Sequence, residues 1–352
     1  MKSRMRGIAV AAVAATTLVP AAVAHAATRT VTAGPPGKVA GTPPDGDSNA
    51  YYRKTVTVHV GDKVKWSING FHTVTFPAKG KKPPPFIGND PTGAKYTGVN
   101  DAAGAPFWFN GQTRLVLTAL GALPVKGKTY NGSKLVSSGA PLGSGKPKPY
   151  TLKFTKKGRY AYYCTIHPGM KASVKVVARN KAIPTAKANR KAAKKEYAKV
   201  AKRQIKDAKF AGPPGNEVRL GNDTVESTIF RFFPATKSVP VGTTVTFSMP
   251  AKTSEIHTAS FGPADYLKQQ AEAFVDPATL VFNGIDAFPS DVPALPSPDG
   301  TNHGNGFVST GVLDRDPATP SPGSATVTFN KAGTYDYICL IHPFMKGKIV
   351  VG

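Results

Sequence analysis

"YYCTIHPGMK" runs from Tyr162 to Lys171, and the closely similar stretch "YICLIHPFMK" runs from Tyr337 to Lys346. These two stretches contain both cysteines of the 352-residue sequence. In each stretch a histidine follows the cysteine by three positions, and a methionine follows the histidine by three. A loop this short can direct thiol, imidazole and thioether side chains toward one centre.

The similarity extends well beyond the cysteines and indicates an internal duplication. "FTKKGRYAYYCTIHPGMKASVKVV" matches "FNKAGTYDYICLIHPFMKGKIVV", and "KLVSSGAPL" matches "GFVSTGVLD". Further upstream, "VHVGDKVKWSINGFHTVTF" matches "VPVGTTVTFSMPAKTSEIHTASF", which has four extra residues before its histidine. His72 and His257 are therefore equivalent, and each repeat carries His, Cys, His and Met in the same order.

Composition favours an all-β fold. The sequence contains 35 Gly and 32 Pro, with abundant Thr and Val, which is typical of short strands joined by many turns. Alternating runs predict half-buried strands within Thr55 to Trp66 and Tyr150 to Phe154. A strand at Tyr160 to Tyr163 would lead directly to the first cysteine. Gly- and Pro-rich loop regions precede the cysteine in each repeat, at Pro83 to Pro149 and Pro263 to Pro322, and "ADYLKQQAEAF" in the second one predicts a short helix.

The chain divides into five predicted segments. The basic start MKSRMR, the apolar run up to Ala24 and the Ala-His-Ala sequence predict a cleaved signal peptide, with a permanent membrane anchor as the weaker alternative. The mature protein is thus expected to be exported, periplasmic, at the cell surface or extracellular, without a transmembrane anchor. The predicted segments are a signal peptide at 1–26, a flexible segment at 27–50, a first domain at 51–178, a basic helical linker at 179–215 and a second domain at 216–352.

The predicted linker is strongly basic. Residues 179–209 contain twelve Lys or Arg against two acidic residues, are rich in Ala and lack Gly, which predicts a helix from about Ala186 to Ala208. Its narrow apolar stripe would consist of Tyr197, Ala201, Ile205 and Ala208. We interpret it as a linker helix that lies on one sandwich with its lysines in solvent. A dedicated binding element is the alternative.

The charge of the sequence predicts acidic partners. The formal charge is +26, and three of these charges lie in the predicted signal, which leaves +23 on the mature chain. Such a surface attracts acidic proteins or polyanions, so the expected partners are an acidic redox protein and anionic cell-envelope polymers. Nucleic acid is a poor candidate, because the exported chain shows no nucleic-acid motif.

The repeated residues predict a metal site in each repeat. Thiolate, imidazole and thioether form a soft ligand set that suits copper in both oxidation states. Blue-copper sites use two His and one Cys with a weak axial Met, so the upstream histidines complete the sets. The predicted ligands are His72, Cys164, His167 and Met170 in the first repeat, and His257, Cys339, His342 and Met345 in the second. A disulfide between the cysteines would leave both His-x-x-Met sequences unexplained, and thioether is an unusual ligand for zinc, the other alternative.

These motifs resemble the cupredoxins, in particular the plastocyanin, pseudoazurin and amicyanin group. The resemblance rests on "CTIHPGM", "CLIHPFM", the preceding G-x-Y-x-Y and the upstream "VGDKVKW" with "HTV". It implies two tandem Greek-key β-sandwiches, one type 1 copper in each, and one-electron transfer. Family members commonly have Asn after the first ligand histidine, where this chain has Thr73 and Thr258.

The supply of histidines argues against an enzyme of the laccase or nitrite reductase type. Those enzymes need further copper held by many histidines, whereas only His59 and His303 remain in the mature chain once the ligands are assigned. A copper-sequestering or delivery protein without redox turnover is the alternative to an electron carrier.

We predict an apolar docking patch around the solvent-facing edges of His167 and His342. It would consist of Pro168, Gly169, Pro343 and Phe344. Thr165 is predicted to hydrogen-bond toward Thr73, and Gly169 is predicted to leave the first loop open to water. The second site would therefore be drier and have the higher potential.

Overall fold

The computed structural model describes residues 26–143, 145–317, 319 and 321–352. The predicted signal peptide therefore lies, apart from its last residue, outside the described residues. Within the described part of the chain, no helix combines the length and the apolar character needed to cross a membrane.

Two five-stranded sheets form the first sandwich. One sheet has the order β3-β1-β5-β11-β9 and the other the order β10-β6-β12-β13-β4. Strands β2, β7 and β8 lie outside these sheets. The bounds are β1 Thr28–Ala33, β2 Gly46–Asp47, β3 Tyr51–Tyr52, β4 Thr55–His59, β5 Lys63–Ile68, β6 Thr75–Phe76, β7 Ile87–Asn89, β8 Leu115–Leu117, β9 Thr129–Tyr130, β10 Val136–Ser137, β11 Tyr150–Phe154, β12 Gly158–Tyr163 and β13 Lys171–Val177.

The core of the first sandwich follows from alternation along its strands. In β5, Val64, Trp66 and Ile68 are buried, whereas Lys63 and Lys65, which alternate with them, are exposed. Trp66 is fully buried and meets Phe76 and Tyr162 edge to face, with ring centroids 5.4 Å away in both pairs. This aromatic cluster fills the space between the two sheets.

The second sandwich repeats this arrangement with a four-stranded sheet, β16-β14-β18-β21, and a five-stranded sheet, β17-β23-β22-β19-β20. Phe247, Phe261 and Tyr337 are buried at its centre. The all-β fold class is thus confirmed. The bounds are β14 Glu217–Leu220, β15 Thr228–Ile229, β16 Phe232–Phe233, β17 Thr236–Val239, β18 Thr243–Ser248, β19 Ser260–Phe261, β20 Val308–Ser309, β21 Ser324–Phe329, β22 Gly333–Ile338 and β23 Lys346–Val351.

Helices are few and lie outside the sheets. They are α1 Ala119–Ala122, α2 Ala186–Asp207, α3 Ala264–Glu272 and α4 Gly284–Ala287, with one 3-10 turn at Asn302–Gly304. Helix α3 confirms the short helix predicted from the second loop region. The two loop regions also pack on each other, because Tyr96, Phe107 and Phe109 from the first share a buried cluster with Leu267 and Phe307 from the second.

Helix α2 lies on the first sandwich. It begins after Thr185, whose side chain accepts the N–H of Ala188, and its buried face includes Tyr197 and Ala201. Tyr197 meets Tyr52 of β3 edge to face, with ring centroids 5.4 Å apart. The predicted stripe is shifted, because Ile205 is only half-buried while Ala193, Val200 and Gln204 are buried.

Residues 27–50, predicted to form a flexible segment, contain two paired strands. Strand β1 pairs in parallel with β5 over its whole length, and its Val31 and Ala33 are fully buried. Strand β2 pairs with β15, which belongs to the second predicted domain. These short strands flank the Pro- and Gly-rich sequence at 34–46 and were not predicted. Their stability comes from pairing with distant partners rather than from a local sequence pattern.

Asn49 joins the two sandwiches at a buried point. Its side-chain Nδ2 lies 3.0 Å from Thr228 Oγ1, 2.8 Å from Ser254 Oγ and 2.8 Å from Glu255 Oε1. Nearby, the guanidinium of Arg231 donates to both carboxylate oxygens of Asp45. Paired strands, a bidentate ion pair and buried amide contacts therefore hold the sandwiches together.

We expect Asn49→Ala to lower the free energy of unfolding by about 1 to 3 kcal/mol, because it removes a donor from the buried Glu255 carboxylate. Urea denaturation of the metal-free protein measures this change. Asn69→Ala is the control, since the Asn69 side chain makes an exposed bond to the Pro35 carbonyl. Equal stability of the two variants would contradict the structural role of Asn49.

Candidate metal centres

Each cysteine stands at the start of a tight loop that two backbone hydrogen bonds close. In the first sandwich the N–H of Cys164 donates to the Met170 carbonyl at 3.0 Å, and the N–H of Met170 donates to the His167 carbonyl at 3.0 Å. The second sandwich has the same pair of bonds at 3.1 and 2.8 Å, between Cys339, Met345 and His342. Both methionine side chains are buried.

The upstream histidines reach these loops because of strand pairing. His72 comes just before β6, which pairs with β12 through Thr75 and Tyr163, next to the cysteine. The N–H of Thr73 then donates to Cys164 Sγ at 3.4 Å. In the second sandwich the N–H of Thr258 donates to Cys339 Sγ, also at 3.4 Å.

Among the described residues, two groups of three could hold a metal ion, namely His72 with Cys164 and His167, and His257 with Cys339 and His342. In the first group the two histidine Nδ1 atoms lie 3.0 Å apart, and Cys164 Sγ lies 3.5 Å from His167 Nδ1. The structure thus brings together six of the eight predicted ligand side chains.

The second group forms a nearly regular triangle. Cys339 Sγ lies 3.7 Å from the Nδ1 atoms of both His257 and His342, and these nitrogens are 3.2 Å apart. The point equidistant from the three atoms is about 2 Å from each, close to the roughly 2.0 to 2.3 Å of zinc–nitrogen and zinc–sulfur bonds. The donor atoms therefore fit a small transition-metal ion without rearrangement.

Threonine ties the two ligand segments together in each sandwich. Thr73 Oγ1 accepts the N–H of Thr165 at 2.8 Å, and Thr258 Oγ1 accepts the N–H of Leu340 at 2.8 Å. Thr165 Oγ1 also lies 3.0 Å from Thr73 Oγ1 and donates to the Gly121 carbonyl. These threonines bridge the upstream ligand segment and the loop that carries the cysteine.

Two ligand histidines have an outer nitrogen that is buried and makes no hydrogen bond, although His257 Nε2 lies 4.0 Å from Asp223 Oδ2. Neither His72 Nε2 nor His257 Nε2 has a hydrogen-bond partner among the described residues. Gly34, just after β1, fits closely against His72, because a Cβ there would lie 2.9 Å from Nε2 and 1.8 Å from the Asn69 carbonyl oxygen. Together with its φ of +80°, this close approach requires glycine.

His167 does not face solvent, which corrects the prediction for the first site. Its side chain is 4% exposed, and its Nε2 lies 3.2 Å from Glu255 Oε1 of the second sandwich. The second sandwich covers this face of the first ligand loop, and Val225 packs against Gly169. His342 is half-buried against the ring of Phe230. The apolar residues beside the loops, Pro168, Gly169, Pro343 and Phe344, are exposed.

Glu255 was not identified from the sequence. It lies in the part of the second repeat that contains the four extra residues, two positions before His257. An acidic residue so close to a predicted ligand, in a chain with 46 Lys and Arg against 20 Asp and Glu, was the available signal.

Glu255 makes the electrostatics of the two sites unequal. Burial would raise the pKa of this carboxyl, but His167 outweighs it and lowers the pKa to about 2. Burial opposes the charged forms of His167 and Cys164 as well, yet Glu255 raises the pKa of the imidazole and His167 lowers the pKa of the thiol. In the second site burial raises the pKa of Cys339 and lowers that of His257 to about 3.

The two spare histidines lie apart from both groups. His59 is the last residue of β4, and its Nε2 is 2.8 Å from the Lys181 carbonyl oxygen. His303 lies between Asp101 and Asp291. Its Nδ1 is 3.2 Å from Asp101 Oδ2, and its Nε2 is 3.2 Å from Asp291 Oδ2.

In the metal-free protein, His257 should make stability depend on pH. Its folded pKa lies below the ordinary value, so the unfolded chain takes up the proton first and stability falls as the pH drops below about 6.5. We expect His257→Gln to reduce the loss of unfolding free energy between pH 7 and 5 by about 2 kcal/mol. Urea denaturation at both pH values measures this loss, and His59→Gln is the control. The same pH dependence in wild type and His257→Gln would refute the argument.

Comparison with known proteins gives local matches to amicyanins. No family model matches the sequence. The chain is 60% identical over 35 residues to amicyanin-alpha of Methylorubrum extorquens. The matched stretch covers 10% of this chain and 29% of that protein. It is 64% identical over 25 residues to amicyanin of Paracoccus versutus, covering 7% and 19%. The chain thus spans less than a third of the length of these curated relatives.

Solved structures of amicyanin variants are also similar to parts of this chain. One, a reduced Cu(I) form of a proline-to-glycine variant at pH 4, has 20% identity and a TM-score of 0.22, covering 42% of this chain and 89% of that chain. The local sequence identity to amicyanins agrees with the His-Cys-His group that each β-sandwich holds at the end of a strand. The chain is thus similar to amicyanins over the local segments that these matches cover.

Proposed function

We propose that this protein is an exported electron carrier with two type 1 copper sites, one in each sandwich. The triangle of Cys339 Sγ, His257 Nδ1 and His342 Nδ1 is the observation that carries the proposal, because its size suits a copper ion. Copper bound by a thiolate and two imidazoles supplies a one-electron couple between Cu(I) and Cu(II). His72, Cys164 and His167 would hold the ion of the first site.

The surrounding residues would keep each ligand set in place in both oxidation states. The N–H groups of Thr73 and Thr258 donate to the cysteine sulfurs, and the threonine hydroxyls fix the ligand loops. Ligands held in this way need little rearrangement when an electron arrives or leaves. Met170 and Met345 would act as weak axial ligands.

This rigidity supports an electron carrier over a copper-sequestering or delivery protein. A delivery site must open to release its ion, whereas His72, Cys164 and His167 are all buried and the loop that carries two of them is closed by backbone bonds. A site without redox turnover also gains nothing from ligands that suit both oxidation states. Reversible cyclic voltammetry of the copper-loaded protein distinguishes the two functions.

Catalysis of the multicopper type is not part of the proposal. A further copper would need additional histidines, and His59 and His303 each contact other groups far along the chain from the ligand segments. We therefore infer electron transfer between proteins rather than an enzymatic reaction.

The second site is the proposed point of exchange with a redox partner. Phe344, beside His342, is 63% exposed, whereas the His167 ring is covered. The basic face of α2 and the formal charge of +26 favour an acidic partner protein, and anionic envelope polymers would bind the same charges. Export through the signal peptide at 1–26 remains a prediction.

Two copper ions per chain are expected, each with an intense thiolate-to-copper absorption band. Cys164→Ser and Cys339→Ser should each remove about half of the visible absorbance, and the double variant all of it, because each cysteine belongs to a separate group. Metal analysis and visible spectra measure both quantities. If one single variant bleached the whole spectrum, the two sites could not be independent.

The first site should have the lower reduction potential, because the Glu255 carboxylate contacts its His167 and stabilises the more positive oxidised form. In the Cys339→Ser background, which retains the first site alone, we expect Glu255→Gln to raise the potential. The shift is on the order of 100 mV, since a unit charge roughly 6 Å away contributes about 3 kcal/mol at an effective dielectric constant of 20.

Potentiometric titration measures this shift. Glu272→Gln is the matched control, because the Glu272 side chain is exposed and pairs with Lys268. An unchanged or lower potential in Glu255→Gln would exclude the carboxylate as the cause of the difference between the sites.

A further inference from the structure

A cavity of about 530 Å³ lies between the two sandwiches, next to both candidate metal centres. His167 from the first ligand loop and His342 from the second both line it. Volumes of about 300 to 1,000 Å³ at domain interfaces are typical of small-molecule sites. The cavity arises because the second sandwich covers the first ligand loop without filling the space between the two loops.

The walls of the cavity are mainly apolar and come from both halves of the chain. Phe71, Phe86 and Leu117 contribute from the first half, and Phe230, Phe274 and Phe282 from the second. Aromatic side chains from two domains thus enclose the space, which suits a ligand with a flat or branched apolar body.

The charges that line the cavity are opposite to those of the protein as a whole. Among the described residues that line it there is no Lys or Arg, although the sequence contains 46 of them against 20 Asp and Glu. The ionisable side chains other than His167 and His342 are carboxylates, namely Asp47, Glu255, Glu272, Asp314 and Asp316. A cavity with this lining attracts cations and repels anions, in contrast to the basic surface.

The carboxylates do not form a metal site. Among the described residues, the groups of three whose ligand atoms converge are the two His-Cys-His groups. The acidic side chains are instead distributed around an apolar volume, so a metal ion inside it would lack a complete ligand set. An extended charge pattern of this kind suits a molecule that combines a positive group with an apolar body.

We propose that this interdomain cavity binds a small organic cation with an aromatic body, an arylalkylammonium ion for example. The aromatic walls would hold its body and Asp47 its ammonium group, since Glu255 and Glu272 already pair with His167 and Lys268. The cavity adjoins the metal ligands His167 and His342, and the proposal goes beyond the electron-carrier function and does not depend on it.

Isothermal titration calorimetry of the metal-free protein tests the proposal with three probes of similar shape. These are 2-phenylethylammonium, the neutral 2-phenylethanol and the anionic 3-phenylpropanoate. We expect the cation to bind about tenfold or more tightly than the neutral probe, and the anion to show no binding, because five carboxylates against two histidines line the cavity. Equal affinities for cation and anion, or no binding of the cation, would overturn the proposal.

Two pairs of variants locate the binding. Leu142→Trp adds bulk to an exposed leucine that lines the cavity and should abolish binding of the cation, whereas Leu120→Trp changes an exposed leucine outside the lining and should not. Asp47→Asn should weaken the cation about threefold to tenfold and leave the neutral probe unchanged, with Asp265→Asn as the control outside the lining. Binding that survives Leu142→Trp would place the ligand elsewhere and overturn the proposal.

A second readout separates this proposal from the proposed function. If the protein binds no copper but the metal-free form binds the cation with the expected selectivity, the electron-carrier function fails and the cavity proposal stands. If copper loads as expected but the cation does not bind, the cavity proposal fails alone. In the copper-loaded protein, bound cation should shift the visible spectrum, because His167 and His342 both line the cavity.

Discussion

The contact between His167 Nε2 and Glu255 Oε1 links the two halves of this molecule at the first ligand loop. It joins the ligand loop of the first sandwich to the segment that carries His257, two residues further on. The His167 ring, which the sequence analysis predicted to face solvent, is therefore buried between the two sandwiches. A buried carboxylate is costly unless it is paired, and here His167 and Asn49 both contact the same oxygen. The domain interface and the first ligand set thus depend on one another.

Backbone and threonine contacts hold the local geometry of both sites. Each ligand loop is closed by its own N–H groups, and Thr73 or Thr258 bridges it to the upstream ligand segment. These contacts within the chain hold the histidine and cysteine donors close together. The short threonine side chains are sufficient to connect the two segments.

The sequence was sufficient for features that depend on local pattern or on repetition. Alternation predicted the strands around Trp66, composition predicted helix α2, and the duplicated His, Cys and His positions identified both groups of converging donors. It failed for features that depend on contacts between distant segments. Strand β1 is short and precedes a Pro- and Gly-rich stretch, so its parallel pairing with β5 left no periodic signal. The burial of His167 requires Glu255 from the other repeat, which no periodicity within either repeat can reveal.

The duplicated halves differ most where they meet. Two residues before the upstream histidine, the first repeat has Gly70, which packs near its own His72, whereas the second has Glu255, which reaches the ligand of the other site. After the cysteine, Thr165 bonds to the Gly121 carbonyl, whereas Leu340 joins the apolar cluster formed by the loop regions. At the third position of the loops' His-Pro-x sequence, Gly169 lets Val225 approach, whereas Phe344 projects into solvent. Each difference turns the first site toward the interior of the molecule and leaves the second site toward its surface. The two sites therefore have unequal access to solvent and to partners, even though their inner donor atoms are arranged alike.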